Sequence, residues 1–205
     1  MSTEPKPPAA EGGAKAGKKR PLPQTVDEKI GEALRLKLEG NEAFKAGDLP
    51  AAKKAYLQIP LYLNGLVTSD SPMRSFFSTI GADANYASAD AGSEDCTRRV
   101  KELRTDAAGN LSLVFGRMGR WEKALKYADE ALGLAPGSSK FLFRRAAALG
   151  ELGRPDEALA CLEEAERIEP GSKAVARALR EMRGRAREGE REKRKKEKEL
   201  FKGAF

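Results

Sequence analysis

Five basic and amide side chains are spaced so that they can share one binding surface. Lys37 and Asn41 are four residues apart, as are Lys140 and Arg144, so each pair lies on one face of a helix. Asn110 precedes Arg144 by 34 residues, which is also the period of a repeat in the chain. Lysine and arginine donate charge-assisted hydrogen bonds, and an asparagine amide adds directional ones. The set therefore predicts a site for a ligand that carries carboxylates.

Residue types that the chain lacks exclude several other kinds of site. The sequence has no histidine, which rules out Ser-His-Asp and Cys-His arrangements, histidine-containing zinc sites and a histidine general base. Its two cysteines, Cys96 and Cys161, cannot form a four-thiolate metal site and do not resemble a secreted disulfide framework. No cluster combines a nucleophile, a base and an electrostatic stabiliser. We therefore expect no enzymatic activity, cofactor, metal or small-molecule substrate.

The elements that must position these side chains repeat along the chain. The segment GRMGRWEKALKYADEALGLAPGS aligns with LGELGRPDEALACLEEAERIEPGS at a constant shift of 34 residues. The aligned pairs are Gly119 and Gly153, Arg120 and Arg154, Ala124 and Ala158, Ala131 and Ala165, Pro136 and Pro170, and Gly137 and Gly171. This period, with small residues seven apart and a proline after them, resembles the tetratricopeptide repeat, a pair of antiparallel helices. The resemblance implies an all-α helical solenoid.

A third copy of the repeat lies upstream, in LEGNEAFKAGDLPAAKKAY. Gly47 and Ala52 each precede their counterparts by 72 residues rather than 34, so 38 extra residues separate the first two repeats. The domain boundaries that we expect are a disordered tail at 1–25, repeats within 26–172 at about 33–68, 104–138 and 139–172, and an insertion at about 66–95.

Residues 173–205 form a capping helix and a charged extension of it. The apolar residues at helical spacing are Val175, Ala178, Leu179 and Met182. The segment holds 13 basic and six acidic residues, whereas the other 172 residues hold 25 of each sign and sum to zero. The six glutamates dilute the charge, and no aromatic residue interrupts the basic run before Phe201, which disfavours a nucleic-acid partner. We expect a solvated helix with i,i+4 ion pairs Glu181–Arg185, Glu190–Arg194 and Glu192–Lys196.

The segments LKLEGNEAF, GNLSLVF and KFLFRRAAAL together resemble the carboxylate clamp of tetratricopeptide co-chaperones. In that family three repeats bind the C-terminal Met-Glu-Glu-Val-Asp or Glu-Glu-Val-Asp tail of heat-shock chaperones. The resemblance covers about residues 30–185. It implies that Lys37, Asn41 and Asn110 hold the terminal carboxylate. It also implies that Lys140 and Arg144 hold the aspartate side chain and the backbone before it.

The first repeat also resembles a narrower group. The segment YLQIPLYLNGL and the long insertion are similar to the tetratricopeptide repeat protein 9 family, itself close to the repeat domain of large immunophilins. The clamp resemblance implies a co-chaperone for heat-shock chaperones of the 90 or 70 class, while the two cysteines and the N-terminal composition, which lacks an apolar signal region, predict a cytoplasmic location. The alternatives are a generic repeat scaffold for another acidic peptide, or a basic-tail binder of nucleic acid or an acidic surface. The run Lys18-Lys19-Arg20 resembles a short nuclear signal, which is a weaker indication than those for the cytoplasm. No apolar stretch reaches the ~20 residues of a membrane span.

Overall fold

The computed structural model describes residues 25–64 and 93–202, together with Pro23 and Leu66. Over these residues the protein is all α-helical, as predicted, with seven helices. They are α1 (Val26–Lys45), α2 (Leu49–Leu63), α3 (Glu94–Arg117), α4 (Trp121–Leu134), α5 (Ser139–Glu151), α6 (Pro155–Ile168) and α7 (Lys173–Lys202). Most of the expected disordered tail and of the expected insertion lies outside the described residues. None of the helices in the described part is both long enough and apolar enough to cross a membrane.

Side-chain caps fix where the two longest repeat helices begin. Thr25 and Glu28 form a reciprocal capping box at the start of α1, each side chain bonding the other residue's backbone N–H at 3.2 Å. Ser93 accepts a hydrogen bond from the N–H of Cys96 at 3.1 Å and caps α3. Both helices therefore start ahead of residues 33 and 104, where the first two repeats are expected to begin.

The turn inside each hairpin has the same backbone conformation. Gly47, Gly119 and Gly153 have φ angles of 81°, 69° and 74°, in the left-handed region that favours glycine. The N–H that follows each glycine donates to a carbonyl five residues back. These bonds run from Asp48 to Ala43, from Arg120 to Phe115 and from Arg154 to Leu149, each at 2.9 Å. They end the first helix and turn the chain back so that the second helix packs against it.

The three hairpins stack in chain order. Helix α1 contacts α3 and α3 contacts α5, while α2 packs on α3 and α4 on α5. Small buried side chains on the second helices allow the close approach. They are Ala124, Ala128 and Ala131 on α4, and Ala158, Cys161 and Ala165 on α6. The helices α1, α3 and α5 thus lie side by side, the arrangement that forms the binding face of a solenoid.

Helix α7 closes the stack. Val175, Leu179 and Met182 are buried against α6 and α5, as expected for a cap on the last apolar face. From Arg187 to Leu200 every residue of α7 is exposed, yet the helix continues without a break. Of the three expected i,i+4 pairs, only Glu181–Arg185 is an ion pair in the described part of the chain, at 2.9 Å.

Candidate carboxylate-binding site

Lys37 on α1 is already paired with a carboxylate of the protein. Its Nζ donates a hydrogen bond to Oδ2 of Asp106 on α3. The Lys37 side chain is 30% exposed and that of Asp106 is 36% exposed, so both remain accessible to a ligand. The pair links the first two hairpins and places one negative charge among the predicted cationic residues.

Asn41 and Asn110 meet across the same two helices. Oδ1 of Asn41 accepts hydrogen bonds from the hydroxyl of Tyr56, at 2.8 Å, and from Nδ2 of Asn110, at 3.3 Å. Tyr56 is 2% exposed, and this burial raises the pKa of its hydroxyl. Because the oxygen of Asn41 is satisfied by two donors, its amide N–H groups remain to donate to a ligand. Tyr56 therefore sets the orientation of Asn41.

Arg144 on α5 reaches back to α3. Its Nη1 donates to the backbone carbonyl of Gly109, next to Asn110 in the chain. A Cβ at residue 109 would lie 2.9 Å from Nη1, so the glycine provides the space that the guanidinium occupies. The guanidinium carbon also lies 5.8 Å from the ring centroid of Phe141, within cation–π range. Arg144 is half-buried, and its four other N–H groups remain available.

Lys140 completes the predicted set at the exposed edge of α5. Partial burial lowers its pKa, as do the charges of Arg144 and Lys37, while Asp106 acts in the opposite direction. Burial also lowers the pKa of Arg144, again opposed by Asp106. These couplings show that the three cations and one carboxylate lie within electrostatic range of each other. The local charge is therefore two positive units, which favours an anionic ligand.

The structure thus brings all five predicted residues together, on three neighbouring helices. Lys37 and Asn41 come from α1, Asn110 from α3, and Lys140 and Arg144 from α5. The direct contacts are Asn41 with Asn110, and Arg144 with the carbonyl beside Asn110. What this arrangement can do chemically is donate charge-assisted and amide hydrogen bonds to two or more carboxylates.

Comparison with known proteins identifies the fold. Residues 117–182 match the family model of the tetratricopeptide repeat. The structure is similar to the C-terminal TPR-containing domain of a Plasmodium falciparum FK506-binding protein, with a TM-score of 0.62 and 19% identity over 82% of this chain and 96% of that one. The fold is that of a tetratricopeptide repeat (TPR) domain.

Two further TPR structures have bound peptides. The first TPR of Spaghetti (RPAP3), bound to the HSP90 peptide SRMEEVD, matches at TM-score 0.52 and 20% identity, over 76% of this chain and 93% of that one. The second TPR domain of human RPAP3, in complex with the HSP70 peptide SGPTIEEVD, matches at a TM-score of 0.50 and 21% identity, over 76% of this chain and 98% of that one. The predicted fold, an all-α solenoid of three helical hairpins with a capping helix that is similar to TPR domains, is confirmed.

An apolar hollow of about 290 Å³ continues the TPR groove beyond Arg144. Its apolar lining includes Leu113 on α3 and Phe143 and Ala147 on α5. Arg117 forms part of its rim and lies over the ring of Phe44 at 4.4 Å. A hollow of this kind accepts an apolar side chain next to the charged part of a ligand.

Sequence reasoning did not assign Tyr56 or the carbonyl of Gly109 to the site. Tyr56 lies on the second helix of the first repeat, where a buried aromatic residue is ordinary core. Gly109 contributes only its backbone and the absence of a side chain. Neither role can be recognised from the residue type. The one available hint is that Gly109 directly precedes Asn110, a residue that the sequence did assign to the site.

Proposed function

We propose that the groove binds the free C-terminus of an acidic peptide, the Glu-Glu-Val-Asp tail of heat-shock chaperones. The observation that carries this proposal is the convergence of Lys37, Asn41, Asn110, Lys140 and Arg144, with a local excess of positive charge. A C-terminal aspartate presents two carboxylates on one residue, which is the ligand that such a set of donors fits.

Each donor has a distinct role in this proposal. Lys37 and the amides of Asn41 and Asn110 bind the terminal carboxylate, since Tyr56 leaves the Asn41 N–H groups free to donate. Lys140 and Arg144 bind the aspartate side chain and the carbonyl that precedes it. The hollow beside Arg144 receives an apolar side chain of the peptide.

The two peptide-bound TPR structures support the proposal without deciding the chaperone class. Their peptides, SRMEEVD from HSP90 and SGPTIEEVD from HSP70, share the last four residues. Because those four residues are the part that a carboxylate clamp contacts, either class is a candidate partner. On this proposal the protein is a cytoplasmic co-chaperone-like module without catalytic activity. Another acidic peptide with a free C-terminus is the alternative ligand.

Fluorescence anisotropy with labelled MEEVD peptides tests the proposal. Amidating the C-terminus, or changing Lys37→Ala or Arg144→Ala, should cost about 2 kcal/mol or more, roughly 30-fold in affinity, because each removes a buried charge-assisted contact. Lys54→Ala is the matched control, since it removes an exposed lysine on the second helix α2 and should have no effect. Equal affinity for the acid and the amide would exclude the clamp.

A competition experiment separates the two ligand classes. A peptide of equal charge that ends in another residue, such as MEEVE, should displace the labelled tail poorly if the groove selects Asp. Displacement at the same concentration as MEEVD would favour the generic acidic-peptide alternative.

A further inference from the structure

Helix α7 separates its charges by sign. At 100° per residue, nine basic residues between residues 173 and 198 lie on one face about 120° wide. They are Lys173, Arg177, Arg180, Arg183, Arg187, Arg191, Arg194, Lys195 and Lys198. This face, the basic stripe, contains no acidic residue. All six glutamates lie along its two flanks, and the buried Val175, Leu179 and Met182 lie outside it, as do the remaining basic residues of that range, Arg185, Lys193 and Lys196.

The stripe faces solvent along its whole length. All nine side chains are exposed, because the apolar side of α7 is the one that packs on the solenoid. Among the described residues only one member is in an ion pair, Arg183 with Glu163 at 3.3 Å. In the described part of the chain, no glutamate of α7 forms an ion pair with a residue of the stripe. The six glutamates dilute the net charge of α7 from the flanks, whereas the front face itself carries only cations.

We propose that the basic stripe binds the phosphate backbone of a nucleic-acid duplex without reading its sequence. The stripe runs over 25 helical steps, about 37 Å, so its nine basic residues follow at intervals of about 5 Å on average. One strand of a duplex carries a phosphate every 3.4 Å of helix axis. A row of exposed cations is opposite in sign to such a backbone and can contact phosphates wherever a strand passes beneath it.

The flanks of the stripe restrict how a duplex can be bound. A helix inserted deep into the major groove would face phosphate walls on both sides, where α7 carries its glutamates. The helix must therefore lie across the outer surface of the duplex, with only its front face in contact. Contacts of that kind are to phosphates rather than to base edges. The absence of aromatic residues on the stripe, which argues against stacking on single strands, agrees with this mode.

An anionic membrane surface is the competing partner, and the helix fits it less well. Interfacial helices bury an apolar face opposite their basic one. On the freely exposed part of α7, from Arg187 to Leu200, Leu200 is the single apolar side chain. Without an apolar face the helix has nothing to insert between lipids, and the attraction would be electrostatic alone.

Anisotropy of the full-length protein with labelled duplexes of about 20 base pairs and arbitrary sequence tests the proposal, with DNA and RNA duplexes as separate arms. About five phosphate contacts predict a slope of log affinity against log salt near −4.5, a loss of about 500-fold between 50 and 200 mM salt. Duplexes of different sequence should bind equally. Binding that is absent at 50 mM salt, or restricted to single strands, overturns the proposal.

Two matched double variants distinguish the stripe from net charge. Lys195→Gln with Lys198→Gln removes two lysines from the stripe, whereas Lys193→Gln with Lys196→Gln removes two from the opposite side of the same turns. The first variant should weaken duplex binding about tenfold or more at 0.1 M salt and reduce the slope by about 1.8, since each contact contributes about 0.9. The second should change neither by much. Equal losses in both overturn the proposal, as does tighter binding to vesicles of anionic lipid than to either duplex.

Discussion

Replacing Asp106 by asparagine should strengthen binding of an acidic tail, although Asp106 forms an ion pair in the free protein. The carboxylate of Asp106 contacts Nζ of Lys37, and its negative charge acts to raise the pKa of Lys140 and of Arg144. A tail carboxylate that binds the same lysine comes within about 7 Å of it. Unit charges at that distance repel by about 0.6 kcal/mol in water and about 2.4 kcal/mol at an effective dielectric constant near 20.

Solvent screening determines where in that range the effect falls. The Asp106 side chain is 36% exposed, so the lower part applies, about 1 kcal/mol or fivefold in affinity. An asparagine at this position would retain the size of the side chain, and its Oδ1 could still accept a hydrogen bond from Lys37. Losing the ion pair with Lys37 should cost at most about 1 kcal/mol of folding stability.

The assay is calorimetric titration of the Asp106→Asn protein with MEEVD peptide. Glu164→Gln is the control, since it removes one exposed carboxylate from α6, away from the groove, and leaves the net charge equal to that of the variant. An Asp106→Asn protein that folds normally but binds the tail equally or more weakly would refute the reasoning. That result would mean that Asp106 holds Lys37 in place for the ligand rather than competing with it.

Two further predictions concern the groove. Tail affinity should fall as the pH rises through the pKa of Lys140, because only the protonated amine binds a carboxylate. Partial burial and the nearby charges of Arg144 and Lys37 lower that pKa below its usual value, so an anisotropy titration should show the loss at a lower pH in this protein than in Lys140→Arg. Tyr56→Phe removes the donor that orients Asn41 and should weaken tail binding about fivefold, or about 1 kcal/mol. Tail affinity unchanged in Tyr56→Phe, measured by calorimetry beside the melting temperature, would show that Asn110 alone orients the amide.

The fold could be predicted from the sequence because the glycine turn between paired helices recurs in each repeat. Gly119 and Gly153 have the same left-handed turn 34 residues apart, and Gly47 has it in the first hairpin. Each turn requires a residue without a Cβ, so the period is visible in residue types. The helix starts at Val26 and Glu94 depend on single caps, at Thr25 and Ser93, which are not part of the repeat and so leave no period in the sequence.

The site was predictable only where residue type and repeat phase coincide. Asn110 and Arg144 occupy equivalent positions in neighbouring repeats, and the structure brings them to the same groove. The pairing of Lys37 with Asp106 joins residues 69 positions apart, which have no common period. Likewise, a count of the charged residues in α7 gives only a small net positive charge. The continuous helix places nine of the basic residues on one face and the glutamates on its flanks. In both cases the missing information is geometry between side chains, not their chemistry.

The same protein should therefore show two different responses to salt. The proposed contacts to the tail use partly buried groups such as Lys37 and Arg144, which salt screens weakly, whereas every cation of the stripe is exposed and should act by releasing counterions. Between about 50 and 200 mM salt, tail affinity should fall only several-fold while duplex affinity falls about 500-fold. Measuring both ligands on one preparation checks this, with the Lys195→Gln, Lys198→Gln protein as a control that changes only the second slope. A tail affinity as steep in salt as the duplex affinity would mean that the peptide binds the charged surface of α7, since the groove cations are too few to give that slope.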